Sequence, residues 1–199
     1  MPKINLLPKN VAELIAAGEV VERPASVMKE LIENSIDAGA TEITAEIQRG
    51  GITYMRITDN GCGIERTDVP TAFLRHATSK IKTDSDLDCI GTLGFRGEAL
   101  AAVSSVAKVE MLTRTEDSNV GTHYVIEGSE EKAQEDAGCP KGTTIIIRDI
   151  FFNTPARMKF LKKDVSEGNA VSQVVERIAL SHPEIAFKFI RDGKTVLNT

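Results

Sequence analysis

Cysteine is scarce in this 199-residue chain: Cys62, Cys89 and Cys139 stand far apart with no CxxC pair, and His76, His123 and His182 are as scattered. Neither a zinc site nor a disulfide framework is supported by that pattern. A long hydrophobic run is also missing. Met1 is followed by Pro2-Lys3 and a short mixed segment, without an apolar stretch long enough for a signal peptide or a membrane span, so the chain is expected in the cytoplasm. Positive charge is not in excess, since 24 Lys and Arg face 29 Asp and Glu for a net charge of -5, with a pI near 5.3. That balance argues against a whole-surface attraction for nucleic acid and leaves room only for a local basic patch. Internal repeats and low-complexity tracts are absent. So are the two familiar phosphate loops, GxxxxGK[ST] and a GxGxxG after a first strand.

What is present suits one globular domain. With 41% hydrophobic and 27% charged residues, the chain can bury one substantial core. Residues 8–18 and 24–38 read as helices, and 42–48 and 52–58 as strands joined through Gly50-Gly51. Ile43, Ala45 and Ile47 alternate with Thr44, Glu46 and Gln48, which gives one buried and one wetter sheet face. A helix is expected at 66–77, an irregular stretch at 78–96 and another helix at 97–106. Strands follow at 107–114, 121–127 and 143–148, then a helix at 164–181 and a hairpin around Asp192-Gly193. The acidic stretch from Ser129 to Gly138 reads as an exposed loop. Strand runs separated by helix runs, without strict βαβ alternation, indicate an α+β two-layer sandwich: a mixed sheet with helices on one face.

Three local patterns carry chemistry. In Glu30-Leu31-Ile32-Glu33-Asn34-Ser35-Ile36-Asp37-Ala38-Gly39 the positions of Glu30, Glu33, Asn34 and Asp37 fall within a narrow helical arc, opposite Met28, Leu31, Ile32, Ser35 and Ile36. Pro24 is placed to open the helix and Gly39 to close it. The polar arc is either a solvated stripe or a site. Like charges at these spacings repel by a few tenths of a kcal/mol, and a divalent cation would offset them. Mg²⁺ is commonly held by one or two protein groups plus substrate phosphates, so Asn34 could ligate it while Glu30 deprotonates a water.

The second pattern, Asp59-Asn60-Gly61-Cys62-Gly63-Ile64, ends a strand. Asn-Gly alone reads as a hairpin turn, but helical spacing follows it. Gly61 and Gly63 let backbone approach a flat ligand, and the Asp59 carboxylate can accept a hydrogen bond from an exocyclic amine such as that of adenine. The third pattern runs from Gly91 through Gly94-Phe95-Arg96-Gly97-Glu98-Ala99-Leu100 into a helix, whose free N–H groups and dipole suit phosphate oxygens. It is otherwise a flexible loop with a glycine-assisted helix start. Upstream, Thr78, Ser79 and Lys80 add two hydroxyls and an ammonium that could fold over a triphosphate.

Taken in order, ELIENSIDAG, DNGCGI, TSK, GFRGEAL and Gly142-Thr143-Thr144 resemble the nucleotide-binding motifs of the superfamily that contains gyrase B, the ninety-kilodalton heat-shock chaperone, sensor histidine kinases and the MutL mismatch-repair proteins. Residues Ile15 to Pro24, GFRGEAL and Phe152-Asn153-Thr154-Pro155-Ala156-Arg157 are most similar to MutL. The resemblance implies the GHKL, or Bergerat, ATP-binding fold over residues 21–199, preceded by an N-terminal arm at 1–20. It implies Glu30 as general base and Asn34 as Mg²⁺ ligand. Asp59 would read the adenine amine with Gly63 beside it, and Thr143 would close the adenine end. Thr78, Ser79 and Lys80 would form the lid. Gly94, Phe95, Arg96, Gly97, Glu98, Ala99 and Leu100 would bind phosphate. Glu33 and Asp37 remain either water-binding or merely supporting.

The resemblance further implies an ATP hydrolase that dimerises through the arm Ile4–Val20 when ATP binds. It would signal between the mismatch-recognition protein MutS and downstream repair enzymes, with a weak DNA contact through Arg157, Lys159, Lys162 and Lys163. MutL proteins continue into a second domain that contributes a phosphate-binding lysine, then a linker and a C-terminal dimerisation domain. Without these the chain is expected to turn over slowly, or to act as a nucleotide-responsive interaction module with no appreciable turnover. A heat-shock-type chaperone is opposed by GFRGEAL and FNTPAR.

Overall fold

The computed structural model describes residues 5, 8, 15, 17, 18, 20–80, 93, 94 and 97–199. Of the expected first helix and arm, Ile15, Ala17, Gly18 and Val20 are described as helical and Asn5 and Pro8 as non-helical; the remainder, with residues 81–92, Phe95 and Arg96, lies outside the described residues.

Helix α1, Pro24–Asp37, follows from its sequence at both ends. Pro24 occupies the first turn, where a missing N–H costs nothing. At the other end Gly39 takes φ 74°, and the Gly39 and Ala40 amides donate to the Ile36 and Ser35 carbonyls at 2.9 and 3.1 Å. This is a Schellman closure, which needs a left-handed residue after the last turn. Val27, Met28, Leu31, Ile32 and Ser35 are buried along the opposite stripe.

Strands β1 (Glu42–Gln48) and β2 (Tyr54–Asp59) are joined by a 3-10 turn, Arg49–Gly51. Gly50 and Gly51 there have φ of 70° and 84°, so β2 begins at Tyr54 and Ile52 is spent on the turn. Then come short α2 (Val69–Ala72), α3 (Ala99–Val106), β3 (Lys108–Arg114), β4 (Gly121–Glu127), β5 (Glu130–Ala137) and β6 (Gly142–Arg148). Short α4 (Pro155–Met158), α5 (Asp164–Ser181), β7 (Ala186–Arg191) and β8 (Lys194–Asn198) complete the described elements.

The strands form one eight-stranded sheet in the order β5-β4-β3-β6-β2-β1-β7-β8. Every described pairing is antiparallel except β1 with β7. Helices α1, α3 and α5 pack on one face, and α1 packs on α5. The other face is polar: Arg56 pairs with Glu46 at 2.7 Å, His123 with Glu110 at 3.0 Å, and the Arg148 guanidinium lies 5.1 Å from the Tyr54 ring centre. The α+β sandwich with a mixed, mostly antiparallel sheet is therefore the observed fold. No described helix is long and apolar enough to cross a membrane.

Cross-strand pairing places whole rows of side chains on the helix-covered face. Phe189, Ala45, Ile57, Ile145, Met111 and Tyr124 form one such row, and all six are buried. The next row toward one end of the sheet reads Phe187, Ile43, Asp59, Thr143, Thr113 and Thr122. A polar row thus interrupts an apolar floor at its middle and far strands.

Two expected elements differ. The Ser129–Gly138 stretch is not a loop: Glu130–Ala137 is edge strand β5, paired with β4. Its charges suit an edge, where unpaired backbone groups must be kept from other chains. The helix expected at 66–77 contracts to Val69–Ala72. Beyond it the chain turns through His76 at φ 61°, because His76 and Arg75 face Glu98 at 3.2 and 3.5 Å. A tertiary ion cluster outweighs the helical periodicity of Phe73-Leu74-Arg75.

Candidate functional site

Asp59 and Thr143 of the polar row, with Ile57 and Ile145 of the apolar row beside it, form the floor of a cavity of about 1070 Å³ between α1, the ends of β2 and β6, and the start of α3. Nucleotide-sized ligands need a volume of this order. Glu30, Asn34, Asp59, Gly63 and Thr143 all line it. So do Thr78, Ser79, Lys80, Gly94, Gly97, Glu98, Ala99 and Leu100, from segments far apart in sequence. The structure thus gathers all the described candidates around one space. Phe95 and Arg96, expected among them, lie outside the described residues.

Asp59 is the most constrained of these. Its Oδ1 accepts hydrogen bonds from the Gly61 amide at 2.9 Å and the Thr143 amide at 3.2 Å. The Ser35 hydroxyl donates to Oδ2 at 2.8 Å. Burial pushes the carboxyl above its ordinary pKa, and these three donors offset the rise only in part. A carboxylate fixed on two sides still has lone-pair capacity for one amine in front.

Ser35 was assigned to the packing side of α1, and it is indeed buried, but its role there is to hold Asp59. Thr113, on β3, supports the site from behind. Its Oγ1 accepts from the Ile64 amide at 2.9 Å and lies 3.1 Å from both the Gly142 carbonyl oxygen and Thr143 Oγ1. It ties the Gly63-Ile64 turn to β6. Both residues carried a readable signal, a hydroxyl at a position whose periodicity demands an apolar side chain. Gly63 itself has φ 74°, and a β-carbon there would run into the Arg114 carbonyl. Only glycine lets this backbone lie so close to β3.

Across the cavity, Glu30 and Glu33 of α1 share Lys29, and Asp37 has a partner of its own. Lys29 pairs with Glu33 at 2.7 Å across one helical turn, which turns Glu33 toward a surface ion pair. Glu30 has a side chain 37% exposed and lies 3.9 Å from Lys29. Asp37, left open between two roles by its sequence, is nearly buried and accepts the Lys80 ammonium at 2.6 Å. The same ammonium donates to Asn34 Oδ1 at 3.0 Å. The Leu93 and Gly94 amides also donate to Asp37, at 3.0 and 3.3 Å.

The loop before α3 closes on the loop after α2. Gly97 has φ 60°, and a β-carbon there would collide with the Ala77 carbonyl. Glu98, the residue before α3, bonds His76 at 3.2 Å. The start of α3 is thereby held at the cavity wall, where its first-turn amides have no partner within the helix. Among the described residues no three His, Cys, Asp or Glu side chains cluster in a way that could hold a metal ion. A ligand role for Asn34 would therefore suit only an ion that takes its remaining oxygens from water and phosphate, as Mg²⁺ does.

A mixed sheet with helices on one face, a carboxylate at a strand end facing a helix-borne carboxamide, and a loop leading into a helix at the same cavity define a GHKL-class ATP-binding domain. Residues 22–146 match the family model described as histidine kinase-, DNA gyrase B- and HSP90-like ATPase, and the chain belongs to that family. Within it, the likeness is to MutL. The DNA mismatch repair protein MutL of Agathobacter rectalis is 58% identical over all 199 residues, which cover 31% of that protein. MutL of Thermoanaerobacter pseudethanolicus is 54% identical over 98% of the chain and 32% of its own length. The chain spans about a third of the relatives it matches. The Aquifex aeolicus MutL ATPase domain complexed with ADP superimposes with a TM-score of 0.76 at 33% identity, over 90% of this chain and 64% of that one.

Proposed function

We propose that the cavity binds ATP with Mg²⁺ and hydrolyses it slowly, and that this cycle serves DNA mismatch repair. The floor of the cavity carries the reading: a fixed carboxylate, Asp59, lies beside Thr143, Ile57 and Ile145 in the space that Glu30 and Asn34 also line. The Asp59 carboxylate accepts the adenine amine, and Thr143 and Gly63 flank the base. The amides at the start of α3, with Gly94, Phe95, Arg96, Gly97, Glu98, Ala99 and Leu100 around them, receive phosphate oxygens. Thr78, Ser79 and Lys80 close over them.

Glu30 takes a proton from the attacking water, and its half-exposed position leaves that water room. Asn34 would hold Mg²⁺, which would supply charge neutralisation at the phosphate oxygens. Transfer of the terminal phosphoryl group needs little else from the protein beyond position and charge. Changing Glu30→Ala should leave binding of an ATP analogue within about twofold while phosphate release falls about a hundredfold or more. Unchanged release removes Glu30 from the chemistry. A binding module without turnover is favoured by one observation: among the described residues, Glu30 has no closer charged partner than Lys29 at 3.9 Å to orient it. Phosphate release by the wild-type chain, with and without the next domain supplied, separates the two.

The likeness to MutL and to an ADP-bound relative supports the wider role. ATP binding orders the arm Ile4–Val20 and joins two copies, and hydrolysis resets the switch. The dimer passes a signal between the mismatch-recognition protein MutS and downstream repair enzymes in the cytoplasm. Exposed Lys159, Lys162 and Lys163, with Arg157, supply a sequence-independent phosphate contact to DNA. Such binding weakens steeply with salt, and salt-insensitive binding contradicts it.

A further inference from the structure

In this structure an internal cation holds the place that the reading above gives to the metal. The Lys80 ammonium lies 3.0 Å from Asn34 Oδ1 and 2.6 Å from Asp37 Oδ2. Asp37 is its anchor: a side chain only 8% exposed, on the last turn of α1, that also accepts the Leu93 and Gly94 amides. One carboxylate thus gathers the two ends of the 80–93 segment against the helix that carries Glu30 and Asn34. The pairing is not a surface accident, since Lys80 is 20% exposed and screened pairs contribute far less than sheltered ones.

An ammonium 3.0 Å from the Asn34 oxygen repels a divalent cation from that same atom. The two cations can exchange because both seek oxygen and both offset Asp37. We infer that Lys80 and Asp37 form a latch in which the ammonium stands in for Mg²⁺ at Asn34. Loading of the metal with its nucleotide is then an exchange of cations that unpins residues 78–80, Leu93 and Gly94 from α1. The inference rests on Asn34 as metal ligand. It gives Asp37 a positioning role and makes Lys80 a competitor of the metal as well as a lid residue.

The test is amide hydrogen exchange at Lys80, Leu93 and Gly94, combined with nucleotide-analogue titration at graded Mg²⁺. Without nucleotide, Asp37→Asn and Lys80→Met should each speed exchange at Leu93 and Gly94 by about tenfold, the loss of a hydrogen bond to a charged group. Lys80→Arg should keep the protection, which separates loss of the latch from loss of folding. In the wild-type chain, nucleotide with Mg²⁺ should change exchange at Leu93 and Gly94. The Mg²⁺ needed for half-maximal nucleotide binding should fall about fivefold or more in Lys80→Met, because its competitor is gone. An unmoved or raised Mg²⁺ requirement, or wild-type amides indifferent to bound nucleotide and metal, overturns the latch while leaving the ATP site intact. If no nucleotide binds at all, the site reading fails and the latch fails with it.

Discussion

At the residue scale, Asp59 makes a test in which two readouts move in opposite directions. Burial raises its pKa above that of the unfolded chain, so the folded protein holds this proton more tightly. The stability that the group contributes is therefore full below its unfolded pKa, and it is lost as pH rises through the folded pKa. Adenine binding needs the ionised form and should strengthen over the same acid-to-neutral window. Nucleotide titrations and thermal melts at matched pH should show these opposed trends; parallel trends would separate Asp59 from the adenine. At neutral pH, Asp59→Asn should unfold at no lower temperature, yet bind nucleotide about tenfold or more weakly. Asn34→Ala should lose the difference between nucleotide affinities measured with and without Mg²⁺, and an unchanged difference would exclude it as ligand. Gly63→Ala, with φ 74° and a β-carbon directed at Arg114, should lower stability by about 1–3 kcal/mol, read from denaturant midpoints. Asp59, Asn34 and Glu30 line one cavity, and it was the order of the motifs along the chain, rather than the spacing on α1 alone, that grouped them in the sequence. Ser35 and Thr113 were not so grouped, because a hydroxyl on a packed face announces a partner without naming it.

At the element scale, α1 is the part on which the site depends. Ile32 and Met28 are fully buried under the face that presents Glu30 and Asn34. Ile32→Ala should cost about 2–5 kcal/mol in the denaturant midpoint, and a loss below about 1 kcal/mol would mean that α1 is not seated as described. This helix was readable end to end, from Pro24 to Gly39, because caps and periodicity agree. Strand β5 was not, since Glu130-Glu131-Lys132 and Glu135-Asp136 have the composition of a loop. An edge strand facing solvent uses charge for its own purpose, and only the pairing with β4 reveals it. The helix expected at 66–77 failed for a related reason. Its continuation was decided by Glu98, some twenty residues later, which draws Arg75 and His76 out of helical geometry.

At the scale of the whole molecule, one sheet face carries helices and the cavity, and Asp59 and Thr143 of the end row place polar groups in its lining, with buried Thr113 behind them. The layer arrangement followed from the order of elements, whereas the parallel pairing of β1 with β7 depends on a return across α5 that no local pattern encodes. Nucleotide-linked dimerisation belongs to this scale. Sedimentation should give a monomer without nucleotide and a dimer with a non-hydrolysable ATP analogue, and a monomer at every concentration would count against joining by these residues. The claim beneath all of this is that the cavity binds an adenine nucleotide through Asp59. Calorimetric titration with Mg²⁺ and non-hydrolysable analogues of ATP and GTP tests it most directly, because guanine presents an oxygen where adenine presents its amine. The ATP analogue should bind at least about a hundredfold more tightly, and Asp59→Asn should abolish most of that preference. Equal binding of the two analogues, or a preference that survives Asp59→Asn, would contradict it.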